Sequence, residues 1–144
     1  MVGIVVVTRA ALLIARRAST WTVAEHLNGR SPVCVAVDTR DPTRVYCGTA
    51  GAGLFRSRDS GRNWEPAGPG IDHPMITAVD VGHAGQADGF GIVYAGTEPS
   101  AVFRSDNGGD SWVDPPDCAR SLLLTPGVFR HGPTHIMFGG SKPM

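Results

Sequence analysis

Two aspartates, Asp38 and Asp80, close apolar segments at matching places, VCVAVD and ITAVDV, and carboxylates are the groups that glycoside hydrolysis uses. An inverting hydrolase holds two carboxyl groups about 6.5–9.5 Å apart, one as general acid and one to activate water. Because these two recur at corresponding positions, hydrogen bonding at strand ends or turns is the more economical use. Glu65 stands beside Trp64 and Asp110 lies within a glycine-rich turn, so neither is persuasive as a catalytic partner. His131 and His135 have the spacing of two metal ligands on one helix face, but HGPTH contains Gly and Pro and will not make that helix. GTAGAG lacks the downstream Lys and Ser or Thr of a phosphate loop, and DNGGDS lacks the closing Glu of a calcium loop. No metal and no cofactor are expected.

The elements that would position such groups are short strands. Nineteen glycines and eleven prolines in 144 residues are too many for a helical bundle and suit strands joined by turns. Hydrophobic residues make up 42% of the chain, an ordinary share for a globular domain. Thirteen basic residues balance thirteen acidic ones, which argues against a nucleic-acid partner. The three cysteines, Cys34, Cys47 and Cys118, form no CxxC pair and are odd in number, so buried thiols are expected. MVGIVVVTRAALLIARR has its charges within and after its apolar runs, unlike a secretory signal, and is too short in apolar residues for a membrane helix. A cytoplasmic protein without membrane association is expected.

The chain repeats itself. Tyr46 and Tyr94, Phe55 and Phe103, Ser57 and Ser105, Gly61 and Gly109, and Trp64 and Trp112 are each separated by 48 residues. VYCGT and IVYAGT, followed by GLFRS and AVFRS, read as hairpins, each preceded by a further apolar strand and followed by a short strand opening at Trp64 or Trp112. Matching Ala36 with Ala78 gives an offset of 42, which puts six extra residues into GHAGQADGFG, residues 82–91. That segment is a surface loop and a candidate binding loop, with Gly82, His83, Gln86 and Asp88 as its polar and turn-forming members. Residues 1–30 read as a worn copy lacking its first strand, residues 31–72 and 73–117 as full units, and residues 118–144 as an irregular or partial fourth. A four-stranded unit repeating at about 40–50 residues is the signature of a β-propeller blade, so the expected fold is an all-β partial propeller of antiparallel blades. Closed propellers have about 4 to 8 blades, so self-association to complete a ring and a longer parent protein are both expected routes, and a frame change near Pro115 would account for the degraded tail.

The motif common to both full units is SxxxGxxW: Ser57, Asp59, Gly61, Trp64, then Ser105, Asn107, Gly109, Trp112. A hydroxyl and a carboxylate or amide can bond backbone N–H groups in a tight turn, Gly accepts positive φ, and an indole packs back over the hairpin. This pattern resembles the Asp-box, or BNR repeat, SxDxGxxW, and the wording from about Val33 to Pro115 is similar to bacterial BNR-like, sialidase-like propeller proteins. The resemblance implies a structural corner. It extends to sialidases, xyloglucan-cleaving glycosidases, sortilin-type receptors and a photosystem assembly factor, so function is to be argued from a site. A sialidase of this kind implies a Tyr nucleophile with a Glu partner, an arginine triad, and an RxP signature. Here Tyr46 and Tyr94 sit at duplicate strand positions, and the RxP of Arg30 with Pro32 lies in a loop without the family's surrounding sequence. The expected function is a non-catalytic interaction or scaffold module with a protein or glycan partner, its loops and the arginines Arg56, Arg58 and Arg62 at the edge. The alternative is a fragment of a sialidase-like glycoside hydrolase whose catalytic groups lie in other blades.

Overall fold

The computed structural model describes residues 2–82 and 89–114. Ten strands form three antiparallel sheets, and no helix occurs among the described residues. β1 (Val2–Val7), β2 (Leu12–Arg17) and β3 (Trp21–His26) make the first sheet. β4 (Pro32–Val37), β5 (Val45–Thr49), β6 (Leu54–Ser57) and the two-residue β7 (Glu65–Pro66) make the second. β8 (Met75–Gly82), β9 (Ile92–Glu98) and β10 (Ala101–Ser105) make the third, to which a bridge between Arg104 and Val113 adds the stub of a fourth strand.

Alternation along each strand gives every sheet two faces, and the sheets stack through them. Leu12 and Ile14, with Val5 and Val7, pack on Cys47, Val35 and Trp64 between the first and second sheets. Tyr46 and Leu54 meet Ile76, Val81, Val93, Ala95 and Phe103 between the second and third. The second sheet is therefore covered on both faces, and all five residues of β5 are buried.

Strand pairing corrects one detail of the repeat. Tyr46 pairs with Ala36, whereas its counterpart Tyr94 pairs with Asp80; Gly48 pairs with Cys34, and Gly96 with Ala78. The first strands thus correspond at an offset of 44, not 42, and the second unit carries four extra residues between its first two strands rather than six. Each of these strands has a bulge at the same place, between Pro32 and Cys34 and between Ile76 and Ala78. A shift of two residues keeps every side chain on its face, which is why the apolar pattern alone fitted either offset.

Candidate functional site

Each SxxxGxxW turn closes on itself through short polar side chains. The Ser57 hydroxyl donates to Asp59 Oδ1 at 2.7 Å and accepts the Gly61 N–H at 2.8 Å. Asp59 Oδ1 also accepts the N–H groups of Arg62 and Asn63 at 3.0 and 2.8 Å, while Asn63 Nδ2 donates to Oδ2 at 2.6 Å. These bonds hold the Asp59 carboxyl far below the usual carboxylate range, the Asn63 N–H being the largest contributor. In the second copy Ser105 donates to Asn107 Oδ1 at 2.9 Å and accepts Gly109 N–H at 2.8 Å, and Asn107 Oδ1 accepts Ser111 N–H at 3.0 Å. Gly61 and Gly109 sit at φ 83° and 87°, the left-handed region that favours glycine.

The turns also fasten one sheet to the next. Arg16 on β2 donates to the Ser60 carbonyl, and Arg56 on β6 donates to the equivalent Gly108 carbonyl at 2.9 Å. Trp112 sends its indole N–H to the Ala67 carbonyl just after β7 of the second sheet, whereas Trp64 bonds Gly61 O within its own turn at 3.1 Å. Arg56 further pairs with Glu65 at 2.8 Å and Asp110 at 2.6 Å, and Arg58 reaches the same two carboxylates at 3.2 and 2.8 Å. Desolvation works against the Arg56 charge, but the two carboxylates outweigh it and its pKa rises; Arg56 in turn holds Asp110 low. The placement of these arginines at a solvent edge therefore fails for Arg56, which is buried, whereas Arg58 is exposed and ion-paired there.

The candidate acids are not brought together as a pair of free carboxylates. Asp38 is fully buried, with Oδ1 accepting the N–H groups of Arg40 and Asp41 and Oδ2 accepting Gly91 N–H of the neighbouring unit at 2.6 Å. Asp80 lies on the exposed face of the third sheet, level with Ala36 rather than Asp38, and accepts the Val81 N–H at 2.8 Å. Tyr46 is enclosed, and burial raises its phenol pKa against the opposing pull of Arg44. Burial likewise pushes the Cys47 thiol up to about 12 and the Cys34 thiol above its ordinary value. The two thiols occupy neighbouring strands but opposite faces of the second sheet. His83, Gln86 and Asp88 of the candidate loop, together with Cys118, His131 and His135, lie outside the described residues, whereas Gly82 ends β8. Among the described residues no group of three His, Cys, Asp or Glu could hold a metal ion.

A feature that the sequence reading missed is an open groove of about 430 Å³ beside the β5–β6 turn. Its walls are Gly51, Gly53 and Leu54 on one side and Pro69, Ile71 and His73 on the other, with Asp72 supplying a carboxylate. The N–H groups of Gly51 and Gly53 both donate to Pro74 O, at 3.2 and 2.8 Å, which fixes the connecting segment 67–74 over the hairpin. His73 stands edge-on to Phe103 at 6.1 Å. The only sequence signal for this groove is the run of Pro and Gly in EPAGPGIDHP, which reads as a connection.

No protein-family model matches this chain. No curated protein matches it either. Among solved structures it is similar to a GH74 xyloglucanase from Xanthomonas campestris, with a TM-score of 0.51 and 22% identity over 73% of this chain and 19% of the xyloglucanase. It is also similar to YCF48, solved bound to a D1 peptide, with a TM-score of 0.53 and 16% identity over 76% of this chain and 35% of YCF48. At these identities the likeness concerns the fold, which is a partial β-propeller.

Proposed function

We propose that this chain is an Asp-box propeller segment, cytoplasmic and non-catalytic, that serves as an interaction module for a protein partner. The observation that carries this reading is the commitment of four of its carboxylates to structure: Asp38 accepts three backbone N–H groups, Asp59 holds its own turn, and Glu65 and Asp110 grip Arg56. A general acid or base must reach a substrate proton, and carboxylates so occupied do not. The Ser, Gly and Trp of residues 57–64 and 105–112 are read as Asp-box corners, and the three sheets as three blades. The groove beside the β5–β6 turn is the natural place for an extended peptide, being concave and apolar with one carboxylate and two glycine turns. YCF48, a neighbour of the same fold, is solved with a peptide bound, which supports a protein partner over a glycan. Selection of displayed peptides on the purified chain tests the reading, with Asp72→Lys as the control because Asp72 is exposed, the variant's circular dichroism spectrum being checked against the wild type. Enriched peptides that lose binding to the variant are expected; a pool that never enriches would sink the proposal.

A second reading is favoured by the xyloglucanase neighbour: a fragment of a glycoside hydrolase whose reacting groups lie in other blades. Release of reducing ends from xyloglucan by a longer parent protein that carries further blades, and not by this chain alone, would support that reading over the first.

A further inference from the structure

The third sheet carries a face for which the second sheet already shows the covering. Ala78, Asp80, Tyr94, Gly96, Val102 and Arg104 share this face, and their counterparts by strand pairing are Cys34, Ala36, Tyr46, Gly48, Leu54 and Arg56. On the second sheet that surface is closed by the next sheet: Ile76 fills the space over Gly48, and a turn carbonyl caps Arg56. On the third sheet the space over Gly96 is open among the described residues, with none of them nearer to an added Cβ than 3.7 Å, and the Arg104 side chain is 40% exposed. At the other end of the stack, the first sheet leaves Ile4, Val6, Trp21 and Val23 exposed, Val23 by 63%, on the side away from the second sheet.

We propose that these two faces meet head to tail between two copies of this chain, the first sheet of one copy covering the third sheet of the other. The contact continues the stacking already present twice within the chain, and it is of the same kind, sheet face on sheet face. Each face carries both signs, Asp80 and Arg104 on one and Arg17 and Glu25 on the other, with Arg104 paired to Asp106 at 2.8 Å. Made twice about a two-fold axis, a head-to-tail contact closes on itself, and two stacks of three sheets fall within the 4 to 8 blades of closed propellers. The proposal rests on the reading of the chain as a propeller segment.

Light scattering after size exclusion, with circular dichroism on the same peak, tests it on the full chain. The expected result is a dimer with a β spectrum that becomes monomeric, with its spectrum unchanged, in Gly96→Trp and separately in Val23→Glu. Val102→Glu replaces Gly96→Trp should the latter lose its spectrum. A β-rich monomer at tens of micromolar would overturn the head-to-tail contact and leave the segment reading standing. A dimer that survives Gly96→Trp but not Val23→Glu would overturn it in favour of first-sheet pairing, and an unfolded wild-type chain would overturn both readings.

Discussion

Gly48 and Gly96 occupy the same place in successive units, and the structure gives them opposite tolerance for one added methyl group. A Cβ at Gly48 would lie 2.5 Å from Ile76 Cγ2, 2.6 Å from Cys34 Sγ and 2.9 Å from Ile76 Cβ, all within the core between the second and third sheets. Neither neighbour can swing away, because Ile76 is fully buried and both side chains belong to paired strands. Overpacking of this kind costs about 1–3 kcal/mol. At Gly96 the nearest atoms among the described residues, Ala78 Cβ and Thr77 Oγ1, are 3.7 Å away, so Ala enters at ordinary contact distance. Replacing a strand glycine there gains roughly 0.5–1 kcal/mol from the lower entropy of the unfolded chain. The twin variants Gly48→Ala and Gly96→Ala should therefore differ by about 2–4 kcal/mol in opposite directions from wild type. In urea, with a slope of about 2 kcal/mol per molar, their midpoints should be about 1–2 M apart with unchanged slopes, measured where the chain is monomeric. Ile76→Ala removes the closest atom, so the pair Gly48→Ala with Ile76→Ala should lose less than the sum of the single changes. Equal midpoints for the two glycine variants would refute the assignment of which face is covered.

Three further outcomes are expected. Ser57→Ala and Ser105→Ala each strand a buried turn N–H and should cost about 1–3 kcal/mol, read from the same urea curves, with no dependence on pH above neutrality. The folded-state pKa of Asp59 lies below its unfolded value near 3.8, so its contribution is present above that pH and is lost as pH falls through the folded pKa. Asp59→Asn should therefore flatten the acid limb of the stability profile below about pH 4, toward the behaviour of the Asn107 turn; an identical limb in the variant would contradict the hydrogen bonds assigned to the carboxylate. Cys47, with its thiol pushed up to about 12 and fully buried, should remain unalkylated by iodoacetamide at neutral pH in the native chain and react only on unfolding, as read by peptide mass mapping.

The repeat was legible because its chemistry is local. Ser57, Asp59 and Gly61 bond within a few residues of one another, so their spacing is written directly into the sequence, and the same holds for Ser105, Asn107 and Gly109. The β5–β6 and β9–β10 hairpins were equally plain, since β-branched runs flank small-residue turns. The offset of the first strands was misjudged because a bulge at Val33 and Thr77 and a period of two make VCVAVD and ITAVDV match at more than one alignment. Arg56 looked like a surface charge for a related reason: its partners Gly108 and Asp110 lie some 50 residues away, on a turn of the next unit.

By itself, then, the sequence determined an all-β chain of repeated hairpins with self-bonded corners, because those features depend on contacts between near neighbours. Tertiary structure alone decided that Asp38 is a buried acceptor joining two units, that Gly48 rather than Gly96 must stay bare, and that a groove opens beside the β5–β6 turn. Those outcomes turn on which face of one sheet meets which face of the next, and stacking couples residues tens of positions apart whose types carry no mark of the encounter.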